Sequence, residues 1–127
     1  MAEPHLELDW PAYAEEIGRR VAAVREIRKV SQTELANVVG LSRSHLQNIE
    51  RSRSSGEGSV GNPSIRKLVE IAQALGVPVT LLLPQDVPLA EYRAIAKPLW
   101  DQLKADLEPA VLERPLPHQV RPSSRIG

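Results

Sequence analysis

Cysteine is absent from the 127-residue sequence, which excludes disulfide bonds, thiolate metal sites and cysteine nucleophiles. The histidines are His5, His45 and His118, and they lie too far apart to show metal-ligand spacing. A nucleophile elbow, a glycine-rich phosphate loop and a pair of acids at useful spacing are also missing. The sequence therefore predicts a protein that is not an enzyme and that has no metal ion and no cofactor.

Long apolar runs are missing as well. No run approaches the roughly 20 apolar residues that cross a bilayer, and the opening residues MAEPHLELDW lack the apolar core of a signal peptide. We therefore expect a cytoplasmic protein without a membrane partner. An apolar content of 42% in a chain of 127 residues favours one compact domain over several.

Helical spacing dominates the sequence, and strand-like alternation is nowhere sustained. Apolar residues recur every three or four positions over 13–27, which predicts a first helix that ends near Lys29. The same spacing predicts a fourth helix over 64–75 and a short fifth helix between Pro78 and Pro84. The sequence therefore predicts an all-α fold.

Two short helices lie between the first and the fourth. Ser31 and Glu34 form a capping box for a second helix over 32–39, which Gly40 ends through a left-handed backbone conformation. A third helix is predicted over 42–51, with its first residue as the cap. Helices joined by such a short turn lie at a steep angle, so one can brace against a DNA backbone while the next enters the major groove.

The third helix carries the chemistry that DNA recognition needs. Its outward side chains, in SRSHLQNIER, are arginine, amide and hydroxyl groups that hydrogen-bond base edges. Residues 43–53 hold three arginines against the single acid Glu50, and a basic strip of this kind favours phosphate contacts. The sequence therefore predicts double-stranded DNA as a partner.

These helices resemble the Cro and phage-repressor helix-turn-helix proteins, also called the XRE family. The resemblance runs from about Ile17 to Leu83, roughly half of the chain. Five residues match the types that the family favours along the motif: Gln32, Ala36, Gly40, Leu46 and Ile49. The resemblance implies a five-helix lambda-repressor-like DNA-binding domain, here over 12–84 after an acidic segment 1–11, and a role in transcription regulation.

The resemblance also implies a role for individual side chains. Base contacts are expected from the early outward positions of the third helix, Arg43, Ser44, Gln47 and Asn48. Contacts to the DNA backbone are expected from Gln32, Ser42, His45, Arg51 and Arg53. Arg25 and Glu50 stand at the positions of a structural ion pair between the first and the third helix.

The sequence departs from the family after Glu50. Ser52 stands where the family usually has glycine, and Pro63 follows Glu50 at a greater distance than the family's Pro-Ser pair does. The linker 51–62 is therefore longer, and its glycine and serine content predicts a flexible loop. This loop lies where the family contacts the DNA backbone.

An apolar stripe at helical spacing continues after Pro84 and predicts a helical extension over 85–113. Its members are Leu89, Tyr92, Ile95, Leu99, Leu103 and Leu107, and Trp100 lies beside it as part of the same predicted surface. The stripe either extends the core or forms a homodimer interface, and we favour the interface because one recognition helix reads too few bases. The composition of 114–127 predicts a disordered tail.

Two functions fit these patterns. The first is a sequence-specific transcriptional regulator, expected to be a repressor of phage, plasmid or bacterial origin that binds a pseudo-palindromic operator as a homodimer through the helix 42–51. The second is an antitoxin whose C-terminal segment binds a toxin protein while the helix-turn-helix controls its own gene. The two interpretations differ in what the C-terminal segment contacts.

Overall fold

The computed structural model describes residues 10–51, 63–84 and 100–117, and within these ranges it contains helices and no strand. The α-helices are α1 (Trp10–Ile27), α2 (Gln32–Val39), α3 (Arg43–Glu50), α4 (Ile65–Leu75) and α5 (Trp100–Leu112). A short 3-10 helix (Val79–Leu82) lies between α4 and α5. The all-α fold predicted from the sequence is confirmed.

The short helices begin and end at residues that satisfy their terminal hydrogen bonds. At the start of α2, the Ser31 hydroxyl accepts from the Glu34 backbone N–H at 3.0 Å, and the Glu34 carboxylate accepts from the Ser31 N–H at 2.9 Å. Ser42 and Ser64 cap α3 and α4 in the same way, with one 3.0 Å bond each. Gly40 ends α2 with a φ of 73°, a conformation that costs other residues about 1–2 kcal/mol.

Helix α1 is the element around which the others pack. It contacts α3, α4, α5 and the 3-10 helix, whereas α2 packs against α3 and α4. The largest side chains that are almost completely buried come from every element: Val21, Val24, Val30, Leu35, Leu46, Ile71, Leu75, Leu82, Leu103 and Val111. Burial of each such side chain stabilises the fold by about 1.5–3 kcal/mol.

Gly18 allows α3 to end directly against α1. A methyl group at this position would collide with the carbonyl oxygen of Ile49 and would lie 2.7 Å from that of Glu50. These oxygens belong to the backbone of a packed helix, so they cannot move away without moving α3 itself. The glycine therefore sets how closely α3 approaches α1.

Helix α5 completes the core of its own chain. Leu103, Leu107 and Val111 are buried in the cluster that also contains the core residues of α1. The prediction that Leu103 and Leu107 face a second subunit is therefore corrected, because α1 already covers their apolar surface. Trp100, the third described member of the predicted interface, is half-buried, and the Arg19 guanidinium lies 6.0 Å from its ring centroid.

The chain that follows α5 is also held in place. The Arg28 guanidinium donates to the carbonyl oxygens of Leu75 at 2.9 Å, Gly76 at 3.3 Å and Arg114 at 2.8 Å. Burial lowers the pKa of Arg28 because it removes the guanidinium from water. Leu116 packs against the core as well. Residues 114–117 are therefore ordered, contrary to the predicted tail 114–127, and residues 118–127 lie outside the described ranges.

Several predicted features lie outside the described residues. These are the acidic segment before Trp10, most of the linker 51–62 with Arg53, and the stripe residues Leu89, Tyr92, Ile95 and Leu99. In the ranges that are described, no helix is both long and apolar enough to cross a membrane. In the same ranges, no group of histidine, aspartate and glutamate residues is placed to hold a metal ion.

Candidate nucleic-acid interface

Helices α2 and α3 pack against each other and are joined by the turn at Gly40. The backbone N–H groups of Gly40 and Leu41 both donate to the Ala36 carbonyl, which closes the end of α2. Leu46 and Ile49 point inward from α3 and are 0% and 3% exposed. Because one face of α3 is anchored in the core, its opposite face is directed away from the domain.

The outward face of α3 carries the side chains that the sequence predicted to contact bases. Arg43 and Ser44 are exposed, and Gln47 and Asn48 are half-buried. Their spacing of three and four positions places them on one side of the helix. The structure therefore groups arginine, hydroxyl and two amide side chains on a surface one helix wide, which is the width that the major groove accepts.

Two residues with predicted contacts to the DNA backbone lie at the start of α3, one at its cap and one in its first turn. Ser42 and His45 are exposed, and the His45 backbone N–H donates to the Ser42 hydroxyl oxygen. The Ser42 hydroxyl keeps its own proton available for another acceptor, because it acts only as an acceptor in the cap. Arg51, just after α3, is exposed at the other end of the helix.

The structure brings Arg25 and Glu50 together as a bidentate pair between α1 and α3. Arg25 Nε donates to Glu50 Oε2 at 2.7 Å, and its NH2 group donates to Oε1 at 3.1 Å. The two side chains are 13% and 5% exposed. A planar fork of this kind fixes both distance and angle, so the pair locks the end of α3 onto α1.

A third donor to Glu50 comes from Gln32, for which the sequence predicted only a contact to the DNA backbone. Gln32 Nε2 donates to Glu50 Oε1 at 3.0 Å, so the first residue of α2 contacts the last residue of α3. The resemblance gives no signal for this bond. The two residues are 18 positions apart, so the bond depends on how α2 packs against α3 and not on a local sequence pattern.

An open cleft of about 460 Å³ lies beside this network. Its walls are Arg25, Ser31, Gln32, Thr33, Arg43, Gln47 and Arg51. The first backbone N–H groups of α2 have no acceptor within the helix, and the helix dipole places partial positive charge at the same end. Three arginines and a helix N-terminus make this cleft suitable for an anion such as a phosphate group.

The fold and this pair of helices define a helix-turn-helix protein. The model of a helix-turn-helix family matches residues 21–82. The immunity repressor protein of Bacillus phage phi105 is 35% identical over 101 residues, which cover 72% of this chain and 65% of the repressor. The transcriptional regulator SinR of Bacillus subtilis is 32% identical over 90 residues, which cover 71% of this chain and 75% of SinR. The chain belongs to the helix-turn-helix family of the Cro and phage-repressor (XRE) type.

A solved structure shows the same arrangement. The restriction-modification controller protein C.AhdI from Aeromonas hydrophila superposes with a TM-score of 0.52 and is 28% identical. The match covers 59% of this chain and 99% of that protein. About two fifths of this chain therefore has no counterpart in that match.

Proposed function

We propose that this chain is a sequence-specific transcriptional repressor that binds a pseudo-palindromic operator as a homodimer, with α3 in the major groove. One observation carries the proposal: the outward face of α3 adjoins a cationic cleft at the N-terminus of α2. Base-reading and phosphate-binding groups thus lie on one side of the molecule. The relatives named as an immunity repressor and as SinR, a transcriptional regulator, support the same function.

The cleft gives the protein its position on the DNA. A phosphate seated there receives hydrogen bonds from the first turn of α2, which contains Gln32 and Thr33, and from the exposed Arg51. Ser42 and His45 contact the next phosphates along the strand. These contacts carry no sequence information, but they fix the angle at which α3 enters the groove.

The α3 side chains then read the bases. An arginine such as Arg43 pairs with guanine through O6 and N7, and the Gln47 and Asn48 amides suit adenine. Ser44 is able to donate or accept, so it tolerates several bases. A second subunit presents the same face to the other half of the operator, which is why a pseudo-palindrome is expected.

The base-reading assignment is tested with single alanine variants. A preferred site is first selected from random DNA with the wild-type protein. Arg43→Ala or Asn48→Ala should each weaken binding to that site by about 1–3 kcal/mol and relax the preference at one base pair of each half-site. Binding to scrambled DNA should change little by comparison.

Arg66→Ala is the matched control, because Arg66 lies on α4 and its side chain is 88% exposed. This variant loses an arginine outside the interface and should bind the selected site and scrambled DNA like the wild type. An equal loss on both DNAs in the Arg43 and Asn48 variants would show that these side chains do not read sequence.

A further inference from the structure

Glu50 lies directly behind the cleft. It is not among the residues that line the cleft, yet two lining residues, Arg25 and Gln32, are hydrogen-bonded to it. Its side chain is 5% exposed. A buried carboxylate next to an anion-binding cleft lowers the positive potential of the cleft and so opposes the binding of an anion. The position of Glu50 therefore needs another explanation.

Arg25 is fully engaged within the chain. Its Nε and NH2 groups donate to Glu50, and its NH1 group donates to the Val30 carbonyl at 3.0 Å. The positive charge of Arg25 is therefore compensated by Glu50 in the protein without DNA. Arg43 and Arg51 differ because both are exposed. This contrast separates Arg25, which forms a wall of the cleft, from two arginines whose side chains are exposed at the cleft.

Gln32 is oriented by the same carboxylate. A carboxylate accepts hydrogen bonds and cannot donate them, so Gln32 must turn its Nε2 group, and not its Oε1 atom, toward Glu50. The Nε2 group has two N–H bonds, and one remains for a second acceptor. Without Glu50 the amide is able to rotate and to present its oxygen to the cleft, where a phosphate would repel it.

We propose that Glu50 is the positioning residue of the phosphate cleft. It keeps Arg25 as a structural cation that does not bind phosphate, and it aims the Gln32 amide at the DNA backbone. The charged phosphate contact at the cleft then comes from Arg51, while Arg43 remains available for the bases. This inference rests on the proposed function and deepens it. The fixed Gln32 amide orients the protein on the DNA, whereas Arg25, if it were released from Glu50, would bind the phosphates of any duplex.

The first test is the salt dependence of DNA binding by Glu50→Gln, measured on the selected site and on a scrambled duplex. Release of Arg25 should steepen the slope of log K against log salt by about 0.9, the value of one added phosphate contact. The ratio of selected-site to scrambled affinity should fall several-fold. Glu70→Gln is the matched control, because Glu70 pairs with Lys67 and Arg66 on α4 and its loss removes the same charge elsewhere.

A second variant keeps the test decisive if Glu50→Gln does not fold. Arg25→Met combined with Glu50→Leu replaces the buried pair by apolar side chains, a change that proteins often tolerate. The slope of this variant should equal that of the wild type, since Arg25 contributes no phosphate contact. A slope that becomes shallower by about 0.9 would show that Arg25 binds phosphate and would overturn the proposal.

The orientation of Gln32 is tested without DNA, which separates this inference from the proposed function. The side-chain amide of Gln32 should give NMR signals with slowed hydrogen exchange in the free wild-type protein and in Glu70→Gln. The slowing should be lost in the variant that combines Arg25→Met with Glu50→Leu. A wild-type protein that selects no site would refute the repressor function, but the amide measurement would still decide the role of Glu50. Fast exchange of the Gln32 amide in the wild type would overturn that role.

Discussion

Among the residues that the structure describes, three charged side chains are buried with the apolar residues of the core: Glu16, Arg28 and Glu50. Each has a partner of opposite charge or a set of carbonyl acceptors, because an unpaired buried charge costs several kcal/mol. Glu16 contacts Arg19 at 3.0 Å and Arg20 at 3.4 Å, one turn along α1. Arg28 and Glu50 therefore connect different elements, whereas Glu16 forms its ion pairs within α1.

Gly18 is the second residue whose identity controls the packing, because even a methyl group does not fit at its position. Gly18→Ala should destabilise the fold by about 1–3 kcal/mol through overpacking, and it should also displace α3, which lies against this residue. Denaturant melts measure the first effect. Binding to the selected site, at a temperature where the variant is folded, measures the second.

Gly40→Ala separates strain from displacement. A methyl group at Gly40 meets open space, but the φ of 73° strains any residue other than glycine by about 1–2 kcal/mol. This variant should lose stability and keep its affinity for DNA.

If Gly18→Ala kept both its melting midpoint and its affinity, the close approach of α3 to α1 would not control the position of the recognition helix.

At the scale of elements, α5 determines how far the DNA-binding unit extends. The sequence placed the end of this unit at Pro84, whereas three buried residues of α5 and the Arg28 contact to Arg114 tie later residues to α1 and α4. We propose that the folded unit continues to Pro117. Its last helix is then a structural part of the helix-turn-helix domain in this chain.

Truncation after Pro84 should therefore unfold or strongly destabilise the protein. The loss of three buried side chains removes about 4.5–9 kcal/mol of apolar stabilisation, which is comparable to the whole stability of a typical domain. Thermal melts followed by circular dichroism give the result. Truncation after Pro117 is the control and should leave the midpoint unchanged. A stable fragment ending at Pro84 would restore the interpretation in which the extension lies outside the core.

The helix boundaries were predictable because they are encoded locally. Ser31, Ser42 and Ser64 each cap a helix with their own side chain, and glycine ends α2 and α4. The partner of α5 was not predictable, because an apolar stripe shows that a helix face is covered but not which surface covers it. Arg28 was missed for a similar reason: its acceptors lie 47 and more residues away in sequence.

At the scale of the whole molecule, the proposed homodimer still needs a contact surface. The predicted stripe retains Leu89, Tyr92, Ile95 and Leu99, which lie outside the described residues. Within the described ranges, large apolar side chains are exposed on α4, where Ile65 is 84% and Val69 is 43% exposed. These two surfaces make different predictions for the assembly.

We expect the stripe to make the dimer. Tyr92→Asp combined with Ile95→Asp should give a monomer in sedimentation experiments and weaken binding to the full operator, because each half-site then binds without a tethered partner. Ile65→Asp combined with Val69→Asp is the matched control and should remain dimeric. If only the α4 variant became monomeric, the interface would lie on α4. A wild-type protein that occupies the operator as a monomer would exclude the homodimer.

The docking of α5 onto α1 also affects how the protein is made. A ribosome completes α1, the helix-turn-helix and α4 well before it reaches Leu103, Leu107 and Val111. At about 5–20 residues per second, roughly two to six seconds separate the synthesis of Pro84 from that of Arg114. During this interval the nascent chain holds a recognition helix whose core is still open on one side. We therefore expect the core to reach its full stability only after α5 has left the ribosome.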